Sequence, residues 1–150
     1  MFSSASSKKM NILKVYFLGS LLLVLLFYIH TILIFDVAGS LLNARPWFVE
    51  RWESHEAGKI IVLGCFIILF GAHLLEVVGW SLFLKVTRLV SSTSEGMYFV
   101  GVSISTLGYG DVVLIKPWRQ IGPMIAIAGV IKFGCTTAFL FFVIQTVLDK

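Results

Sequence analysis

Three apolar runs of membrane length leave this chain few ways to fold. Residues 11–35, 59–86 and 118–148 are each nearly free of charge. At ~1.5 Å per residue, each reaches across a ~30 Å hydrocarbon core. Backbone in hydrocarbon must satisfy its own hydrogen bonds, which a helix does and a loop does not. The reading is therefore an all-α membrane protein with three transmembrane helices. Composition agrees: 58% of the 150 residues are hydrophobic, 13% are charged and the mean hydropathy is +0.95, too apolar for a soluble surface. The net charge of +4 is scattered rather than gathered into a stripe, which suits anchoring near headgroups and argues against a nucleic-acid partner. Cys65 and Cys135 both fall in apolar runs and read as small buried hydrophobes.

The first run carries Lys14 at its start and His30 near its end. Lys8 and Lys9 ahead of it would suit a secretory signal, but the run exceeds a ~7–15-residue signal core and no small-residue cleavage site follows, so a retained span is expected. His30 reads as a packed or interfacial histidine rather than a ligand. In residues 41–58, Arg45, Glu50, Arg51, Glu53, His55 and Glu56 alternate with Trp47, Phe48 and Trp52, the pattern of an amphipathic segment lying in the interface with its tryptophans at headgroup level. No internal repeat breaks the chain and no soluble domain is expected after Leu148, so residues 1–150 read as a single membrane domain. Trp118 and Arg119 are expected to anchor the outer end of the last span.

Between the second and third runs lies a different device. Ser92-Thr93-Ser94-Glu95 is a capping box that opens a helix at about Thr93 and carries it to Ser105. At ~13 residues, or about 20 Å, that helix is too short to span. Met97-Tyr98-Phe99-Val100-Gly101-Val102 is nevertheless too apolar for a loop in water. A re-entrant helix buried in protein satisfies both facts, and its C-terminal end aims a partial negative charge at whatever lies below. Ser105-Thr106-Leu107-Gly108-Tyr109-Gly110-Asp111 follows directly. Glycine at alternate positions admits positive φ, which lets successive carbonyls face one way. Thr106 adds a hydroxyl at the inner end, Tyr109 can brace the loop from behind, and Asp111 closes the outer mouth.

These seven residues resemble the selectivity filter of potassium channels, and residues 59–150 resemble the two-helix pore module of the potassium channel superfamily, particularly small prokaryotic ion channels with one extra N-terminal span. The resemblance implies a re-entrant pore helix and filter loop, residues 93–111, between the last two spans. It implies dehydrated K+ held at Thr106, Leu107, Gly108 and Tyr109, with Gly110 completing the filter and Asp111 and Ser105 supporting it. K+ is then a transported substrate, and no cofactor and no enzymatic activity are expected. One filter per chain requires four chains for a carbonyl ring, so a homotetramer in the cytoplasmic membrane is implied. Leu107 stands where such filters usually carry Val or Ile, and Val102 offers no carboxylate to brace Asp111. The outer loop Val112-Val113-Leu114-Ile115 is apolar for an ion entrance, as if lipid or a neighbour covered it. The filter's outward orientation implies an extracytoplasmic N-terminus and cytoplasmic residues 36–58; the lysines and arginines on the two sides of the first span balance and do not decide.

Ionisable residues inside the spans carry a second signal. Glu76 lies ~10 residues before the outer end of its helix and Lys132 ~13 residues after the outer start of the next, depths of about 15 and 20 Å. Opposite charges at similar depth in hydrocarbon should pair, since either alone costs at least ~2.5–3.5 kcal/mol. His73 sits one turn from Glu76 on the same face. Three readings of His73, Glu76 and Lys132 stand: a buried polar clamp, a proton-sensitive gating cluster, or Lys132 facing the ion path. Gly129 and Gly134 serve close packing or bending.

No span repeats Arg or Lys at every third position, so a voltage sensor is not expected, and neither a nucleotide fingerprint nor a calcium loop is present. A gate would lie in the spans or in an unknown regulatory partner. Two rivals remain: a non-conducting, pore-like partner or sensor protein, and an intramembrane metal site at His73 and Glu76, for which ligands are few.

Overall fold

The computed structural model describes residues 12–51 and 54–148. It is all-helical: α1 (Ile12–Arg51), α2 (Ser54–Val86), α3 (Thr93–Ile104) and, after a single 3₁₀ turn at Trp118–Gln120, α4 (Ile121–Leu148). Ile12–Leu41, Ala57–Val86 and Trp118–Leu148 are long and apolar enough to cross a membrane, which makes the chain a multi-pass membrane protein. The short α3 lies between the second and third.

Residues 41–58, expected as a separate amphipathic segment, are divided between two helices. Residues 41–51 continue α1 without a break, and residues 54–58 form the opening turn of α2; Trp52 and Glu53 lie outside the described residues. Packing holds the start of that stretch: Leu41 is buried in one apolar cluster with Ile61, Cys65 and Leu69 of α2 and Phe139 and Val143 of α4.

A second apolar cluster surrounds α3. Trp80 and Leu84 of α2, Val15 of α1, Phe99, Val100 and Ile104 of α3 and Ile121 and Ile125 of α4 meet there. Trp118 belongs to it as well, buried and 6.0 Å from the ring of Tyr16. It is thus a core residue rather than the interfacial anchor its sequence position suggests, while Arg119 is exposed. Tyr16 ties α1 to this end by donating to the Pro117 carbonyl at 2.5 Å. Leu114 of the apolar outer loop is buried in the same cluster, whereas Val113 and Ile115 are exposed.

The capping box works almost as read. Ser92 has extended backbone and its hydroxyl accepts from Glu95 N–H at 3.1 Å, satisfying one of the donors that a helix start leaves free. The Glu95 carboxylate reaches one residue further back than the usual box, accepting from Ser91 N–H at 2.9 Å and from the Ser91 hydroxyl.

Glycine lets α3 sit close on both sides. A Cβ on Gly96 would lie 2.7 Å from Ser81 Oγ and 3.3 Å from Ser81 Cα, while Ser81 itself donates to the Thr93 carbonyl at 2.8 Å. A Cβ on Gly129 would lie 2.4 Å from Ile104 Cγ1 and 2.7 Å from the Ile104 carbonyl oxygen. Gly129 is therefore a packing glycine at the foot of the loop, whereas Gly134 has nothing within 4 Å of its Cβ position. Gly129→Ala must displace backbone, and overpacking of this kind costs about 1–3 kcal/mol. The expected result is a lower thermal midpoint in detergent for Gly129→Ala and little change for Gly134→Ala.

Candidate functional site

The loop after α3 is built by backbone bonds that turn the chain back from the helix end. Ser105 N–H donates to the Gly101 carbonyl at 3.1 Å, Thr106 N–H to Ser103 at 3.0 Å and Gly108 N–H to Val102 at 3.2 Å. From there φ is positive at every second residue: 61° at Thr106, 57° at Gly108 and 78° at Gly110. An extended strand points successive carbonyls to opposite sides; a change in the sign of φ at alternate residues cancels that alternation and lets them share a side. Two of the three positions carry glycine. Thr106 does not, and a β-branched residue in that region is strained by about 1–3 kcal/mol, a sum that tends to be stored where function requires it. The sequence gives no sign of this third position.

The loop is open to its surroundings on one side, with Leu107 58% and Tyr109 68% exposed. Within the single chain, the contact that holds the outer end of the loop is made by Tyr98. Its hydroxyl donates to Asp111 Oδ2 at 2.5 Å, while Asp111 Oδ1 accepts from Val112 N–H at 3.0 Å. The Tyr98 bond holds the Asp111 carboxyl below its ordinary pKa. The carboxylate missing at position 102 is thus replaced by a phenol one turn earlier on α3. Behind the loop lies a cavity of about 320 Å³ bounded by Tyr98, Val102, Asp111, Arg119 and Gly122.

Between the two apolar clusters the three long helices share one polar layer. Lys132 Nζ donates to Glu76 Oε1, and both residues are buried, 0% and 5% exposed. Lys132 thus turns toward α2. His73 presents Nδ1 to Glu76 Oε2 at 3.8 Å and Nε2 to Thr136 Oγ1 at 3.1 Å. His30, also buried, reaches the same Thr136 hydroxyl at 3.0 Å from α1, and the two imidazoles lie 5.0 Å apart. Thr136 belongs to no motif; its signal in the sequence is a hydroxyl one helical turn from Lys132 in an apolar run. Among the described residues no group of three or more His, Cys, Asp or Glu is arranged to hold a metal ion.

Three membrane-length helices, with a short capped helix and a glycine-alternating loop folded back between the last two, define a membrane protein of the pore-loop class. A family model described as "Ion channel" matches residues 21–146, and the chain belongs to that ion channel family. It is accordingly not an enzyme. The match begins inside α1, so the family resemblance takes in most of the first span as well as residues 59–146. No curated protein and no solved structure gives a significant match.

Proposed function

We propose that the protein is the subunit of a homotetrameric, potassium-selective channel of the cytoplasmic membrane. The observation that carries this reading is the alternation of positive φ at Thr106, Gly108 and Gly110. It suits a stack of carbonyl oxygens from Thr106, Leu107, Gly108 and Tyr109 that replaces the hydration shell of K+, with Ser105 and Asp111 fixing the two ends. Four chains close the ring, and the exposed flank of each loop then faces its neighbours. The C-terminal end of α3 adds favourable potential for a cation beneath the stack. Lys132 supports the reading by turning its ammonium onto Glu76, since four free ammonium groups around an ion path would repel cations. In this arrangement the N-terminus is extracytoplasmic and residues 36–58 lie on the cytoplasmic side, where the polar ends of α1 and α2 meet the inner interface.

Ion flux from liposomes containing the purified protein tests the proposal. Potassium should leave far faster than sodium. Equal rates for both ions, or no flux above empty vesicles at any pH or voltage, would overturn it.

A further inference from the structure

The polar layer has an unused atom. His73 Nδ1 is buried, makes no hydrogen bond, and lies 3.8 Å from the Glu76 oxygen that Lys132 does not hold. Buried polar atoms without partners are rare enough to need a reason.

Proton counting supplies one. The Thr136 hydroxyl carries a single hydrogen but meets two imidazole nitrogens, Nε2 of His30 and Nε2 of His73. It donates to one ring and accepts from the other, so the neutral rings are opposite tautomers. A bare Nδ1 lone pair on His73 would face a carboxylate oxygen and be repelled, so His73 carries its hydrogen on Nδ1 and accepts from Thr136. His30 then donates to Thr136. The result is one directed chain: His30 N–H to Thr136 O–H to His73, whose Nδ1–H points at Glu76, which also accepts from Lys132.

We propose that this layer is a proton-binding site in which His73, once protonated at Nε2, becomes a cation that competes with Lys132 for the Glu76 carboxylate and loosens α4 from α2. The incoming proton comes from water and stays on Nε2. Thr136 turns its hydrogen to the carbonyl one turn back on α4, as Thr31 does to Phe27 and Thr146 to Phe142. The charged or titratable groups facing His73 are His30 from α1, Glu76 from α2 and Lys132 from α4. The acidic residue of α3, Glu95, is engaged with Ser91 at the far end of that helix. Glu76 is the one anion in the layer, and it sits already within reach. The consequence for ion flow rests on the channel reading: Lys132 is one turn from Gly129, where Ile104 at the foot of the loop leaves no room for a Cβ. Freeing Lys132 releases the restraint on the helix that bears on that foot.

Two readouts on the full chain in liposomes test the site. The first is imidazole nitrogen NMR of the unmodified protein. Over a titration from about pH 8 to 5, His73 should hold hydrogen on Nδ1 throughout and gain a second on Nε2. A His73 that stays neutral across that range overturns the site. The second is potassium flux over the same range, expected to rise about fivefold on acidification in the parent and by less than about twofold in His73→Gln, the scale of an ordinary coupling between sites. His55→Gln, at the third histidine of the chain, should keep the parent profile. A parent-like rise in His73→Gln, a loss of the rise in His55→Gln, or a flux that is flat or falls with acid overturns the coupling. Absence of flux at every pH overturns the potassium-channel reading instead, and the NMR titration, which needs no conduction, still decides the proton site.

Discussion

Gly110→Ala should abolish potassium selectivity and most of the flux. Position 110 has φ of 78°, and an added Cβ would meet only the Gly108 carbonyl oxygen, at 4.0 Å. There is room for the methyl group; the obstacle is the backbone conformation itself, which costs an L-residue about 1–2 kcal/mol. In the proposed fourfold ring that cost falls on every subunit, so alanine moves the chain toward negative φ and rotates the neighbouring carbonyls off the axis. The measurement is the ratio of potassium to sodium flux in liposomes. A Gly110→Ala protein with the parent's ratio would show that the alternation of φ is not what selects the ion. Thr106 sharpens the comparison, because its φ of 61° shows that the fold already sustains one strained residue in this loop. A second one adjacent to the outer mouth has no bonds like those of Thr106 N–H and Gly108 N–H to hold it.

Breaking the buried ion pair is the second large effect. Glu76→Gln strands Lys132, and Lys132→Met strands Glu76; each leaves a charge without its partner in a layer that excludes solvent. Such losses run to about 3–5 kcal/mol. The double variant should recover part of that loss, because a neutral pair has no desolvation left to offset. Thermal stability of the detergent-solubilised protein across the four combinations gives the coupling directly. Strictly additive losses would refute the pair. A Lys132→Met protein as stable as the parent and far more conductive would show that the ammonium lies on the ion path.

How much of this was legible in the sequence depended on the range over which each feature acts. The capping box at Ser92 to Glu95, the short α3 and the paired depths of Glu76 and Lys132 need only local spacing and the rise of a helix. The burial of Leu41 in a cluster with Ile61, Leu69 and Phe139 is not legible, because those residues are far away in the chain. Tyr98 meeting Asp111 across thirteen positions, and Thr136 joining His30 to His73, are likewise tertiary facts. Even the loop was only half written in its residues: Gly108 and Gly110 announce two positive φ values, but the third falls on a threonine, where composition argues the other way.

The polar layer also settles a question that lipid leaves open. Hydrocarbon tails are as apolar as leucine, so helices in a bilayer have little hydrophobic reason to prefer one axial alignment over the next. Slipping α4 by a single turn along α2 moves Lys132 about 5.4 Å from Glu76 and leaves both charges bare. One such layer, with a contact from each long helix, therefore acts as an index mark that fixes the register of α1, α2 and α4 together. That register brings Gly129 level with Ile104, so the height at which the loop stands in the membrane is set from one turn beyond its foot, by five polar side chains outside the loop.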